Sequence, residues 1–135
     1  AVIPRWIDAV MRGEDLFING DGSTTRDFCY INNAVQANII AAIPRTNEAL
    51  NRVYNIAANH QITLIELCKI ISQNISMNLP SIEVNRPIFR DFRPGDILHS
   101  RADIELAEEL LGYEVSMSVE DGLKDLIKLE CEKYE

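Results

Sequence analysis

No stretch of this chain approaches the roughly 18 consecutive apolar residues that a membrane-spanning helix requires. No charged, apolar and small-residue layout of a secretory leader opens it. These absences point to a soluble, cytoplasmic protein with no membrane partner. Basic residues are also scarce: 13 Lys and Arg stand against 21 Asp and Glu, a net charge of −8. They form no stripe, which excludes a general nucleic-acid surface, although two converging arginines could still hold an anion locally. The three cysteines, Cys29, Cys68 and Cys131, are far apart and odd in number. They make neither a disulfide framework nor a C-x-x-C pair and read as buried or partly buried free thiols. His60 and His99 have no metal-ligand spacing, so no metal site is expected.

Catalytic patterns are missing too. The residues four beyond Tyr30, Tyr54 and Tyr113 are Ala34, Ala58 and Met117, so no Y-x-x-x-K occurs. No G-x-S-x-G or Walker pattern appears. Gly20-Asp21-Gly22 is a weak echo of a dinucleotide fingerprint: Thr25 stands where the third glycine belongs, and a strand follows where a helix should. A plain turn is expected there. Glu108 and Glu109 lie in a polar helical segment and read as solvated surface.

What is present is a core's worth of apolar residues, 47% of the chain, in a length that suits one domain or a large piece of a bigger one. The opening "AVIPRWIDAV" reads as the middle of something longer. Pro4 suits a first helical turn, Trp6, Ile7, Val10 and Met11 recur at helical spacing, and Gly13 ends the element. "DLFI", the turn "NGDG" and "RDFCYI" predict a hairpin with a longer loop. Asn32 or Asn33 is expected to cap the helix "NAVQANIIAAI", which is apolar nearly all round and so should be buried on more than one side. "RVYNIA" predicts a strand, and "SIEVNRPIF" an extended segment before a loop bracketed by Pro87 and Pro94. Thr63 and Glu66 form a capping box for "LIELCKIISQNI". Ser100 with Asp103, and Ser118 with Asp121, repeat that signal for two further helices, the first closed by Gly112. The fold class is α/β or α+β-like, with short strands and four to five helices.

Binding chemistry concentrates around two loops. Arg26 follows the glycine-rich turn, and "FRDFRPGD" places Arg90 and Arg93 before Pro94-Gly95 and Asp96. Arg26 could equally pair with Asp27 at the surface, and Asp96 could simply cap its own turn. Guanidinium groups grip phosphate through a rigid fork of donors, so two of them on opposed loops would clamp a diphosphate. Asp96 could accept hydrogen bonds from sugar hydroxyls. Ala1, Val2, Trp6, Phe17 and Asn19 could line a flat slot for a base, with the Asn19 amide reading its edge. Core packing is the competing reading for Trp6 and Phe17.

"VIPRW", "INGDGSTTRDFCYI" and "FRPGDILHSRADIELAEELLGY", in that order, resemble the C-terminal part of an extended short-chain dehydrogenase/reductase. More specifically they resemble bacterial NAD-dependent UDP-N-acetylglucosamine 4-epimerases of surface-polysaccharide and lipopolysaccharide synthesis. The resemblance implies that residues 1–135 are a C-terminal UDP-sugar-binding domain fragment of an extended Rossmann-type isomerase. It also implies that the NAD-binding Rossmann domain and the Ser/Thr-Tyr-Lys catalytic set belong to an absent N-terminal part. It assigns Arg26 and Arg93 to the diphosphate, Asp96 to a ribose hydroxyl, and Ala1, Val2, Trp6, Phe17 and Asn19 to the uridine site. The substrate would be a UDP-N-acetylhexosamine or UDP-hexuronic acid. The parent would be a homodimer, and the isolated piece would self-associate and be inactive. A nucleotide-sugar 4,6-dehydratase, a UDP-glucuronate decarboxylase and a non-catalytic nucleotide-sugar-binding module are the alternative readings.

Overall fold

The helical spacing at the start of the chain is realised as α1 (Val2–Met11), which buries Trp6, Ile7, Val10 and Met11 on one face. It belongs to a computed structural model that describes residues 1–133. The remaining elements are β1 (Phe17–Asn19), β2 (Thr25–Arg26), α2 (Ile31–Ala42), a 3₁₀ turn at Asn47–Ala49, β3 (Ile62–Thr63), α3 (Leu64–Asn78), β4 (Ile88–Arg90), α4 (Glu105–Leu111) and α5 (Val119–Cys131). They divide into two compact units. The first holds Ala1–Thr25, Ile62–His99 and the chain from Glu120 onward; the second holds Arg26–Gln61 and Ser100–Val119. No described helix is long and apolar enough to cross a membrane.

In the first unit α1 packs on α3, which turns Leu67, Cys68, Ile71 and Ile75 inward. The capping box forms as expected: the Glu66 N–H donates to Thr63 Oγ1 at 3.2 Å, and the Thr63 N–H donates to Glu66 Oε2 at 3.0 Å. Two orphan donors of the helix start are thereby satisfied, for about 1 kcal/mol.

The expected hairpin does not form. β1 pairs with β4 in parallel, Phe17 opposite Ile88, Ile18 opposite Phe89 and Asn19 opposite Arg90. The turn explains why. Gly20 and Gly22 both adopt left-handed backbone (φ 84° and 85°), and Asp21 Oδ1 accepts from the Ser23 N–H and hydroxyl. This loop carries the chain away from β1 instead of folding it back. The Thr24 carbonyl accepts from the Leu64 N–H at 2.9 Å, and the Thr25 N–H donates to the Leu98 carbonyl at 2.8 Å. β2 and β3 make a second two-stranded sheet.

The second unit is built on Ala37, Ala49, Ala57, Ile104, Ala107, Leu111 and Tyr113. Small residues let α2, α4 and the extended chain approach closely. "RDFCYI" is a strand only at its first residue; beyond it, Asp27 replaces a ladder with its side chain. Its two carboxylate oxygens accept from the backbone N–H groups of Ala58 (3.0 Å) and Ala102 (3.4 Å). "RVYNIA" forms no strand among the described residues; the Tyr54 and Tyr113 hydroxyls instead donate to the Ala49 and Ala57 carbonyls, each at 2.8 Å. Gly112 closes α4 in left-handed backbone, φ 69°, as expected. The Ser100–Asp103 box expected for α4 is not what starts it: the helix begins later, at Glu105, with Ile104 at the cap position and no side-chain cap, and Asp103 Oδ1 instead accepts from the Glu105 N–H at 3.0 Å.

Two expectations for α2 are corrected. It begins at Ile31 with Tyr30 at the cap position and no side-chain cap, so neither Asn32 nor Asn33 caps it. Asn33 lies inside the helix, fully buried. It donates to the Met117 carbonyl at 2.8 Å and accepts from Ser116 N–H, Ser116 hydroxyl and Met117 N–H at 3.0–3.1 Å. Nor is α2 buried on several sides: Ile31, Val35 and Ile39, spaced by four on one face, are 63%, 49% and 58% exposed.

Two predictions concern the second unit. Asn33→Ala strands a carbonyl and an N–H pair around residues 116–117, at about 1–3 kcal/mol for each unsatisfied group. A fall of ~2 kcal/mol or more in urea unfolding is expected. Desolvation, with the neighbouring Cys29 group adding to it, pushes the Tyr113 phenol up to about 12. The folded state therefore holds this proton more tightly than the unfolded chain does. The stabilisation is complete below about pH 10 and is lost as pH rises toward about 12. Tyr113→Phe should flatten that alkaline limb when urea midpoints are compared across it.

Candidate functional site

Burial along β1 alternates: Ile18 is wholly buried, while Phe17 and Asn19 are part-exposed. Period-two geometry therefore sends Phe17 and Asn19 out of the same face. Trp6 holds the strand from behind. Its ring is buried, and its indole N–H donates to the Phe17 carbonyl at 3.3 Å. Trp6 is thus a buttress for the strand and offers no open face. Ala1 is exposed at the N-cap of α1, with Val2 partly buried beside it.

Parallel pairing brings the second arginine loop to this face. The Arg90 guanidinium lies over the Phe17 ring, its carbon 3.3 Å from the ring centroid. With the Asn19 amide oriented to satisfy its surroundings, its oxygen accepts from Arg93 Nε at 2.9 Å and Nη2 at 3.2 Å. Arg93 starts a tight turn that its carbonyl closes by accepting from the Asp96 N–H at 3.1 Å. Pro94 second and Gly95 third, at φ 78°, are the residues of a type II turn. Residues 91–100 are all exposed. Asn19, Phe89, Arg90 and Asp91 line an open concavity.

Phe92 anchors the loop through an apolar contact. It stacks against Gly20, where a Cβ would fall inside its ring. Gly22 is similarly pressed, a Cβ there meeting Ile65 Cβ at 3.1 Å. The two glycines serve the loop approach as well as the turn. Asp21 is held below the usual carboxylate range by the Ser23 hydroxyl and then by its N–H. This turn leads into a strand, and its outward polar group is an acid, so it is not a phosphate cradle.

Asn19 and Arg93 are therefore joined directly, and Asp96 is tied to Arg93 through the backbone. Arg26 is the half-buried first residue of the second unit, next to Asp27. Sequence reasoning named Arg90 beside Arg93 but gave it no role of its own, and it missed Phe92. Arg90 was read as part of the Arg93 loop, whereas it ends β4; for Phe92 there was no local signal, because its partner is a glycine 72 positions earlier. Neither thiol described by its environment is an activated nucleophile: desolvation raises both Cys29 and Cys68.

The family model for GDP-mannose 4,6 dehydratase matches residues 1–126. The chain belongs to that family. Its α/β fold of five helices and few short strands matches the C-terminal domain of short-chain dehydrogenase/reductase epimerases. The UDP-N-acetyl-alpha-D-glucosaminuronate decarboxylase of Bacillus cytotoxicus is 30% identical over 129 residues, 94% of this chain and 39% of the relative. The UDP-glucose 4-epimerase of Thermotoga maritima, solved with UDP-glucose, superimposes with a TM-score of 0.85 at 29% identity, covering 100% of this chain and 40% of that one. The UDP-N-acetylglucosamine 4-epimerase of Methanobrevibacter ruminantium, in complex with UDP-N-acetylmuramic acid, gives 0.79 at 33% identity, with 98% and 40% covered. The chain thus spans about two fifths of the length of these relatives.

For this member of the family, Gly20→Ala is expected to do more than strain a left-handed residue by about 1–2 kcal/mol. It should expel Phe92 and loosen residues 91–100, seen as faster limited proteolysis within that loop. Gly95→Ala, which meets no atom within 4 Å, should cost strain without moving Phe92.

Proposed function

We propose that this chain is the nucleotide-sugar-binding portion of a UDP-N-acetylhexosamine 4-epimerase, an NAD-dependent isomerase of polysaccharide or lipopolysaccharide biosynthesis in the cytoplasm. The observation that carries the reading is the Asn19–Arg93 fork. An otherwise acidic molecule holds a guanidinium at a loop tip by a neutral amide, leaving its charge for an anionic ligand. Arg93 and Arg26 take the diphosphate, and Asp96 a ribose hydroxyl. The base lies along the β1 face of Phe17 and Asn19, with Ala1, Val2 and Trp6 completing or backing that region. Binding energy collected here, away from the reacting carbon, holds the sugar in place for reaction.

The glycine-rich turn runs into β2 and not into a helix, so it does not have the layout of a dinucleotide fingerprint. In this proposal the cofactor and the catalytic Ser/Thr-Tyr-Lys set sit in an N-terminal domain of the parent. NAD bound there would supply a reversible hydride acceptor for C4 of the sugar. The exposed Ile31, Val35 and Ile39 face of α2 is the surface that such a domain would cover.

A decarboxylase or 4,6-dehydratase on the same binding portion is the second reading, favoured by the 30% identity to the Bacillus decarboxylase. Products separate the two: an epimerised UDP-sugar from the complete gene product supports the first, and release of carbon dioxide or loss of water supports the second. The binding claim is tested by calorimetric titration of UDP into the complete gene product. Arg26→Ala and Arg93→Ala should each lose about 1.5–3 kcal/mol; no change in either refutes the clamp. The 135-residue chain alone should self-associate in ultracentrifugation, and a clean monomer at high concentration would contradict the assignment of the α2 face.

A further inference from the structure

The Phe17 ring, offered by the sequence as one wall of a base slot, is already covered. Arg90 lies flat against it at 3.3 Å. This is a built arrangement: β4 pairs with β1 in register, and Arg90 stands directly opposite Asn19, one step along the face from Phe17. A guanidinium is planar and weakly hydrated, and it stacks on an aromatic face better than an ammonium does. One face of the Arg90 plane is taken by Phe17. Arg90 is nonetheless exposed, and it lines the concavity shared with Asn19, Phe89 and Asp91.

We propose that Arg90 is the platform on which the base of the ligand stacks, with Phe17 as a positioning residue beneath it. The order of layers is ring, guanidinium, base. The inference rests on the nucleotide-sugar reading and deepens it, by separating the two arginines of this loop. Arg93 works through its edge, with Nε and Nη2 donating in plane to an oxygen acceptor. Arg90 works through its face. A stacked cation is tolerant of base identity, because every base has a π-face. This subsite therefore secures a nucleoside without choosing among bases.

The test separates plane from charge. Arg90→Lys keeps the charge and loses the plane. UDP and ribose 5-diphosphate, which lacks the base, are titrated against the complete gene product, with thermal melting to verify that each variant is folded. Arg90→Lys should weaken UDP roughly fivefold to 150-fold, the range of one base-stacking contact, and leave ribose 5-diphosphate unchanged. Phe17→Leu should act in the same direction, and the double variant should be about as weak as Arg90→Lys alone, because the two residues form one stack. Equal weakening of both ligands would make Arg90 a phosphate contact and overturn the proposal, as would no weakening of either. Failure of the wild type to bind UDP removes the nucleotide-sugar reading itself, and the platform with it. Wild-type binding that Arg93→Ala weakens and Arg90→Lys leaves alone removes the platform only.

Discussion

The candidate site depends on three residues of parallel pairing between β1 and β4. Parallel strands cannot be joined by a tight turn, and between these two the chain travels through the second unit and the whole of α3. The register then decides which side chains meet. Slipping it by one residue would place Arg90 on the opposite face of the sheet, away from both Phe17 and Asn19. A short ladder is a weak specifier by itself. Ile18, wholly buried beneath it, and the Trp6 bond to the Phe17 carbonyl hold β1 from the other side.

Legibility followed the range of the interaction. The helix face of Trp6, Ile7, Val10 and Met11, the Thr63–Glu66 box and the Gly112 stop are set within four residues, and each stands in the structure as the sequence implied. The hairpin failed because turn composition announces a reversal without naming the partner strand, and each β4 partner lies 71 residues further on. Asn33 was misread for a related reason. Its residue type suits a cap, but the groups that satisfy it belong to residues 116–117, which no local rule can supply. The α2 helix has the composition of a fully buried element, yet Ile31, Val35 and Ile39 stand exposed along one face, so composition alone overstates its burial.

Polar side chains replace sheet hydrogen bonds throughout the second unit. Asp27 holds two separate segments through their backbone N–H groups, Asn33 does so for a third, and Arg101 clips Asn59 with two donors at 2.9 and 2.6 Å. Asn59 sits at φ 53°, a conformation that asparagine tolerates better than most residues. Such a unit keeps irregular chain in place without long strands. It also leaves the segment after Arg26 firmly tethered at its first residue, Asp27.

The amide that receives Arg93 has a kinetic side. A solvated arginine on a wholly exposed loop would sample many rotamers and lose that freedom when it captured an anion. Here much of that loss has already been met by the bond to Asn19. An arriving oxyanion would exchange a neutral acceptor for a charged one at nearly the same position, so its grip reflects the difference between two hydrogen-bonded states. Such a surface would favour ready release of an anion as well as its capture.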